Sequence, residues 1–256
     1  MNMGKSFEDI RSGVVLAELG GHGDGPYCAK YGAGCALVVL GTYIVDPGRN
    51  VPYPKHFVFK PGRANYAGYL QEHVAAARKS GAKVGVSIIS INPADSVDFL
   101  VAAEGAGADY ASLCAHSEME MFLNAGLGAA LCRRENFASL RRWASAIVKA
   151  VKIPVIFKIG LDDTEETGEA VEVMAECGVP IVHVNVGSTD AGSEGLRALN
   201  YLAGKCEFLI GGGGVKDVRG ARRALKTGAD AVAIATAAMK DPNLCGRIQR
   251  ELRQTI

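Results

Sequence analysis

The sequence lacks the features that mark membrane proteins, secreted proteins and small metal-binding domains. No apolar run approaches the ~20 residues of a membrane-spanning helix. The first dozen residues are polar and mixed in charge, unlike a secretory signal peptide. The 7 cysteines include no C-x-x-C pair, which argues against a zinc knuckle or an iron–sulfur cluster. We therefore expect a cytoplasmic protein with reduced cysteines, no metal site and no membrane contact.

An excess of charge of either sign is also missing. The formal net charge is +1 and the sequence pI is about 7.6. This balance gives no indication of a nucleic-acid-binding surface. What the chain has instead is a hydrophobic fraction of 48% over 256 residues, which is enough for the core of one large α/β domain.

Apolar runs of strand length alternate with longer amphipathic runs along almost the whole chain. The eight predicted strands are mostly apolar on both faces, as parallel strands covered by helices should be. They cover residues 14–18, 36–41, 83–89, 110–113, 155–159, 181–186, 208–211 and 231–235. Eight strand–helix units predict a closed (β/α)8 TIM barrel, with residues 1–256 as a single domain. A long irregular insertion at about residues 43–62 is either a lid or a surface hairpin.

Barrel enzymes work at the carboxyl ends of their strands, and several reactive side chains fall there in this sequence. They are Glu18 after the first strand, Ser87 in the third, Cys114, His116 and Ser117 after the fourth, Lys158 in the fifth and His183 in the sixth. His116 and Ser117 lie in a loop, where polar residues are ordinary, so their position alone says little.

Lys158 is the most informative of these residues. Its ammonium lies in the otherwise apolar run Val155 to Ile159, and burying a charge without a partner is costly. It is a strand-end lysine or a core ion pair, a Schiff-base nucleophile, or a cation that faces an anionic cofactor. His183 has the parity of a residue that faces the barrel interior, where it is either a core histidine or a ligand contact.

Four consecutive glycines, Gly211 to Gly214, follow the seventh predicted strand. Glycines let the backbone approach an anion closely, and the start of the next helix adds free N–H groups. Barrels of this type often hold phosphate at the loops after strands seven and eight. The run therefore predicts a phosphate site, with a tight turn that binds nothing as the alternative.

Together, these positions resemble the FMN-binding barrel family of tRNA-dihydrouridine synthases and dihydroorotate dehydrogenases. The chain is similar in particular to the short archaeal relatives of the synthases. The similar stretches are residues 15–24, 126–131, 155–159, 182–184, 211–214 and 228–232. Their order and spacing carry the resemblance, since each motif alone is weak.

The resemblance implies an FMN-dependent oxidoreductase. In such a family, Lys158 would stabilise negative charge on the reduced flavin and His183 would contact the ring. The phosphate would be held by N–H groups near Gly213, Gly214, Ala235 and Thr236. Three further positions of the flavin site differ from the family pattern: Glu18 replaces a proline, Ser87 a glutamine and Gly212 an asparagine.

The proton-transfer position also departs from the pattern. The cysteine that protonates the pyrimidine in the synthases corresponds to Ser117, and an asparagine three residues earlier corresponds to Cys114. His116, Cys114 or Ser117 would then transfer the proton. Gly160 stands where the family has an arginine, and Thr236 where it has another. We expect no counterpart of the C-terminal domain that grips tRNA, so a small-molecule substrate is favoured over tRNA.

Three functions follow from these observations. The first, which we predict, is an FMN-dependent oxidoreductase that reduces or oxidises a C=C bond in a pyrimidine-like or other small substrate. The second is a flavin-free lyase, aldolase or isomerase that acts on a phosphorylated metabolite, and Glu18 fits this function better than the first. The third is a non-catalytic relic that only binds a ligand. Barrels of this type often pair, so a homo-oligomer is compatible with each.

Overall fold

The computed structural model describes residues 7–46, 48 and 51–254. The strands in these residues are β1 (Val14–Leu16), β2 (Leu37–Val45), β3 (Val58–Phe59), β4 (Lys83–Ser90), β5 (Tyr110–Ala115), β6 (Val155–Gly160), β7 (Ile181–Asn185), β8 (Phe208–Gly212) and β9 (Ala231–Ile234). The helices are α1 (Gly25–Tyr31), α2 (Ala67–Ala77), α3 (Pro93–Gly105), α4 (Glu120–Leu123), α5 (Phe137–Ala150), α6 (Thr164–Glu176), α7 (Glu194–Leu202), α8 (Val218–Lys226) and α9 (Leu244–Arg253).

Eight of the strands close into a parallel ring. They are hydrogen-bonded in the order β1, β9, β8, β7, β6, β5, β4, β2, and β2 pairs back onto β1. Leu16 joins the two ends, because it pairs with Ile234 on one side and with Val38 on the other. β3 adds only two residues, parallel to the end of β2. The architecture is a (β/α)8 TIM barrel, which confirms the predicted fold.

Alternating side chains along the strands form two separate cores. Val182 and Val184 of β7 pack with the helices, whereas Ile181 belongs to a cluster inside the barrel. Phe7 and Ile10, which precede β1, belong to this interior cluster, and the ring of Phe7 meets that of Phe208 edge-on at 5.5 Å. Since Phe208 is the first residue of β8, this contact closes the amino end of the barrel and leaves the carboxyl end for a site.

Polar side chains begin several helices at this carboxyl end. Asn92 accepts a hydrogen bond from the backbone N–H of Ala94 at 3.1 Å, and Asp163 accepts one from Glu166 at 2.9 Å. Asp217 does the same for Gly220 at 2.8 Å, directly after the glycine run. Such caps satisfy N–H groups that have no partner within the helix and fix where each loop ends.

Two strand ends differ from the sequence prediction. β1 ends at Leu16, so Glu18 lies in the loop that follows. β2 continues to Val45 instead of ending at residue 41, because Tyr43 is fully buried and stacks on Phe57 at 5.1 Å. Much of the stretch at 43–62 is therefore packed against the barrel, and residues 47, 49 and 50 lie outside the described residues. No helix of the described chain is long and apolar enough to cross a membrane.

The substitution Phe208→Ala is expected to lower the free energy of unfolding by about 3–5 kcal/mol. Phe208 is fully buried inside the barrel, and the loss leaves a cavity against Phe7. Urea unfolding followed by circular dichroism measures the change. Met239→Ala is the control, because Met239 is 39% exposed and its loss should change the free energy by less than about 0.5 kcal/mol. Equal effects of the two substitutions would contradict the role of Phe208 in the core.

Candidate functional site

A cavity of about 1120 Å³ opens at the carboxyl ends of the strands. It brings together almost every candidate residue from the sequence: Glu18, Cys114, His116, Ser117, Lys158, His183, Gly212, Gly213, Gly214, Ala235 and Thr236. Ser87 does not line the cavity; it is fully buried and contacts Glu18 from behind. Ring closure thus gathers residues that are more than two hundred positions apart in the chain.

Lys158 lies between two other candidates on neighbouring strands. In the register of the sheet it pairs with Cys114 of β5 on one side and with His183 of β7 on the other. Paired positions in a parallel sheet direct their side chains to the same face. The three side chains therefore share the floor of the cavity, and that of Lys158 is 12% exposed.

Glu18 provides the charge partner of Lys158. The Lys158 Nζ lies 3.5 Å from Glu18 Oε2 and donates a hydrogen bond to the backbone oxygen of Glu18 at 3.3 Å. Ser87 Oγ donates to Glu18 Oε1 at 3.3 Å and lies 3.2 Å from the hydroxyl of Thr42. The core ion pair that the sequence allowed for Lys158 is thus present, and it lies at the cavity floor.

One oxygen of this carboxylate has no hydrogen bond. Among the described residues, Glu18 Oε2 has no hydrogen-bond partner, although the Glu18 side chain is only 2% exposed. The closest charged or titratable groups given for it are Lys158 Nζ at 3.5 Å and His183 Nδ1 at 3.9 Å. The Lys158 ammonium is therefore the charge that compensates this buried oxygen.

Burial determines the charges at the floor. Burial opposes ionisation of Glu18, but the ammonium of Lys158 and the hydrogen bonds to Glu18 outweigh it and hold the pKa of Glu18 below its ordinary value. Burial, followed by the positive charge of Lys158, lowers the pKa of His183 to about 3. At neutral pH His183 is therefore uncharged, and Glu18 and Lys158 form a neutral pair.

His116 and Asn185 form a second polar pair in the cavity lining. Asn185 Oδ1 accepts from the N–H of Gly187 at 3.2 Å, so its Nδ2 is the atom that lies 3.0 Å from His116 Nε2. His116 Nε2 then accepts, and the ring proton is on Nδ1. Burial first, and Lys158 second, lower the pKa of His116, which favours this neutral form. Gly160 makes room for the ring, because a Cβ there would lie 2.6 Å from His116 Nδ1.

The other two candidates for proton transfer are less free. Ser117 Oγ accepts a hydrogen bond from the backbone N–H of Met119 at 3.3 Å. Cys114 is 9% exposed, and burial raises the pKa of its thiol in spite of the nearby Lys158 ammonium. Cys114 is therefore a protonated thiol at neutral pH.

Backbone N–H groups without partners line another part of the cavity. In the portion of the chain that the structure describes, the N–H groups of Gly213, Gly214, Ala235 and Thr236 have no hydrogen-bond partner. Gly213 has φ of +106°, and a Cβ there would lie 2.6 Å from Asn185 Oδ1. The glycine allows two loops to present free donors to one space, which is an arrangement that binds anions. We call these four residues the amide seat.

Three cavity residues were not found from the sequence. Lys216 and Lys240 are exposed and line the same cavity as the amide seat, where they add positive charge. Lys216 follows the glycine run by two residues, a signal that was available, whereas nothing local marks Lys240. Tyr53, from the irregular stretch, also lines the cavity and approaches Gly20 so closely that a Cβ there would overlap its hydroxyl.

Metal ligation has no support in the described part of the chain, where no three His, Cys, Asp or Glu side chains are grouped so that they could hold an ion.

Comparison with known proteins identifies the family. A barrel with an anion seat and a buried lysine at its carboxyl rim is compatible with the flavin-dependent barrel oxidoreductases. The family model described as dihydrouridine synthase (Dus) matches residues 72–256. This match covers most of the chain, which therefore belongs to the dihydrouridine synthase family, a family of FMN-dependent oxidoreductases.

A solved structure supports the same fold. The crystal structure of DHODH in complex with ferulenol from Eimeria tenella superimposes with a TM-score of 0.70. The match covers 94% of this chain and 80% of that chain at 17% sequence identity, so it bears on the barrel architecture alone. No curated protein sequence matches the chain.

The residues present fit the cofactor that these families generally bind, which is FMN. The amide seat offers unpaired donors, and Gly213 lets its backbone pass close to Asn185 and Gly187, where a Cβ would lie 2.6 Å from Asn185 Oδ1. Lys158 and His183 line the same cavity; Lys158 is a donor, and the neutral ring of His183 has one acceptor nitrogen. The seat suits a phosphate, and the floor offers both donors and an acceptor to a polar ring.

His183 should make stability fall as the pH is lowered. Its pKa is about 3 in the folded protein, against about 6.5 in an unfolded chain, so between these values only the unfolded chain binds the proton. The free energy of unfolding therefore falls by up to about 1.4 kcal/mol for each pH unit by which the pH is lowered in this range. We expect His183→Asn to reduce this slope between pH 6.5 and 5, as measured by urea unfolding. His22→Asn, at an exposed position, is the control and should keep the slope of the unsubstituted protein. If His183→Asn leaves the slope unchanged, His183 takes up its proton in the folded state and the prediction is wrong.

Proposed function

We propose that this protein is an FMN-dependent oxidoreductase that reduces or oxidises a C=C bond in a pyrimidine-like or other small substrate. The observation that carries the proposal is that the amide seat and the Lys158–His183 pair line one cavity. A phosphate group and a polar ring can then be held by two parts of one site. Membership of the dihydrouridine synthase family supports the same function.

The amide seat would hold the FMN phosphate, assisted by the positive charges of Lys216 and Lys240. Lys158 and neutral His183 would contact the flavin ring, with Lys158 as a donor and His183 as a donor or an acceptor. When bound, FMN supplies hydride transfer to or from the substrate. Tyr53 would cover part of the site and limit the access of water.

His116 is the residue that we propose for proton transfer. It lines the cavity, its ring is oriented by Asn185, and its lowered pKa keeps it neutral at physiological pH. In the oxidative direction the substrate would displace the Asn185 amide from Nε2, which would then accept the substrate proton, and the resulting imidazolium would return that proton in the reductive direction. Ser117 and Cys114 are weaker candidates, because a hydroxyl is a poor acid near neutral pH and the Cys114 thiol is buried.

A small-molecule substrate fits the charge distribution better than tRNA. A net charge of +1 gives no electrostatic footprint for a polyanion, and the cationic side chains of the cavity, Lys216 and Lys240, lie with the amide seat. We include in the proposal a cytoplasmic location for the protein. Pairing of two copies would be compatible with the barrel but is not required by the site.

A Schiff-base mechanism is less well supported than flavin chemistry. A Schiff-base amine has to be free to attack a carbonyl carbon, whereas Lys158 Nζ is held by the Glu18 carboxylate at 3.5 Å and by the Glu18 backbone oxygen at 3.3 Å. The ion pair therefore removes the main argument that Glu18 gave for a flavin-free lyase or aldolase.

Purified protein is expected to bind FMN with one site per chain, as measured by the absorbance and fluorescence change on titration. Gly213→Ala should weaken binding by about tenfold or more, because the strain of about 1–3 kcal/mol at this φ and the displaced N–H groups damage the seat. Gly204→Ala is the matched control: its φ is +81°, but a Cβ there meets nothing within 4 Å. If the unsubstituted protein takes up no FMN, the proposed function is wrong.

His116→Asn should slow turnover of a reactive pyrimidine or enone by about 10²–10⁴-fold with little change in FMN affinity. The measurement is the anaerobic reoxidation of the dithionite-reduced flavoprotein by each candidate substrate, and oxidation of the corresponding saturated compound. Because the neutral imidazole is the base, the oxidative rate should fall only as the pH drops below the ordinary histidine range. Ser117→Ala serves as the comparison and should lose less activity. A larger loss in Ser117→Ala than in His116→Asn would transfer the role to the hydroxyl.

A further inference from the structure

The cavity contains two buried formal charges, and they lie next to each other. Among the described residues that line it, Glu18 is buried and Lys158 is mostly buried, with side-chain exposed fractions of 2% and 12%. The other charged lining residues are Glu118, Lys216, Lys240 and Asp241, and all of these have more contact with solvent. Water screens those four, so the Glu18–Lys158 pair dominates the field at the floor.

The two charges of this pair cancel for any group placed above it. Glu18 Oε2 lies 3.5 Å from Lys158 Nζ, and His183, which lies beside both residues, carries no charge at neutral pH. An ammonium alone would strongly stabilise a negative charge in the adjoining space. With the carboxylate present, most of this stabilisation is removed, because the ligand experiences a dipole in place of a net charge.

The geometry of Glu18 is not that of a purely structural ion pair. Ser87 satisfies Oε1, but Oε2 has no hydrogen bond among the described residues and belongs to a side chain that lines the cavity. A pair that only supported the fold would be expected to satisfy both oxygens, since a buried unsatisfied acceptor is destabilising. Oε2 faces the Lys158 ammonium at 3.5 Å, so the carboxylate acts on what occupies the cavity through the charge of Lys158.

We propose that Glu18 lowers the reduction potential of the flavin bound beside it by cancelling the positive charge of Lys158. The inference rests on the proposed function. Reduction of the flavin takes up two electrons and one proton to give an anionic ring, and a second proton gives the neutral ring. An uncompensated Lys158 would favour the anionic reduced form over the uncharged oxidised form, and Glu18 opposes this preference. Glu18 is thus a tuning residue that acts through Lys158.

The test compares FMN-loaded protein with its Glu18→Gln variant, which removes the charge and keeps the shape. Potentials are measured at neutral pH with redox dyes and dithionite as reductant. We expect the ratio of affinities for reduced and oxidised FMN to rise at least about tenfold, which is a positive shift of about 30 mV for a two-electron couple. Glu118→Gln is the matched control, since it removes the same formal charge from an exposed residue of the same cavity and should leave the ratio nearly unchanged.

A double substitution separates charge from structure. Glu18→Gln combined with Lys158→Met again leaves no net charge at the floor, so its potential should lie closer to that of the unsubstituted protein than that of Glu18→Gln does. A merely structural role predicts that the two substitutions add their damage. Glu18→Ala must shift the potential in the same direction as Glu18→Gln. If circular dichroism shows that Glu18→Gln does not fold, Glu18→Ala takes its place in the test.

The two proposals fail in different ways. If the protein binds FMN and neither Glu18 variant raises the potential, the tuning role is wrong and the proposed function stands. If the protein does not bind FMN at all, both are wrong. An equal shift in Glu118→Gln also overturns the tuning role, because the effect would then come from overall charge.

Discussion

Hydrogen bonds from β1 to β9 on one side and to β2 on the other close the sheet, and the geometry of the site depends on this closure. Glu18 and Lys158 are 140 residues apart in sequence. In an open sheet β1 would lie at an edge, and Glu18, which follows β1, would remain far from Lys158. Closure instead brings the carboxylate under the ammonium and surrounds both with apolar strands. Because burial makes unpaired charge costly, the two side chains have to meet.

The consequences of that burial extend to the neighbouring groups. Burial first, and the charge of Lys158 second, lower the pKa of His183 and His116 and keep both neutral, so the floor offers polar contacts without net charge. The amide seat, by contrast, has free N–H groups with the exposed Lys216 and Lys240 nearby. One cavity therefore combines an end that favours an anionic group with a floor that favours a polar, uncharged ring. This asymmetry suits a phosphorylated cofactor more than two separate small ligands.

Periodicity and residue type were sufficient to predict the barrel, and most of the candidate site residues chosen from the sequence lie in one cavity. Eight apolar strands separated by helices determine a ring, and the rule that sites lie at carboxyl ends then selected Lys158, His183 and the glycine run. The ion pair was one of several alternatives, because sequence does not reveal which buried charge meets which. Tyr53 and Lys240 could not be found, since each enters the cavity through a loop conformation that no local pattern encodes. β2 was predicted too short because the burial of Tyr43 is set by the distant Phe57.

Several residues that depart from the family pattern lie next to residues that they fit, which argues against a chain that has lost its function. The short side chain of Ser87 leaves the Glu18 carboxylate in place and donates to it. Gly160, where the resemblance has an arginine, leaves room for His116, which Asn185 then orients. Loss of selection gives no reason for substituted residues to fit their neighbours, whereas here Ser87 donates to Glu18 and Gly160 leaves room for the His116 ring. The ordered arrangement is more consistent with a site that has acquired a different substrate or a different potential than with a relic.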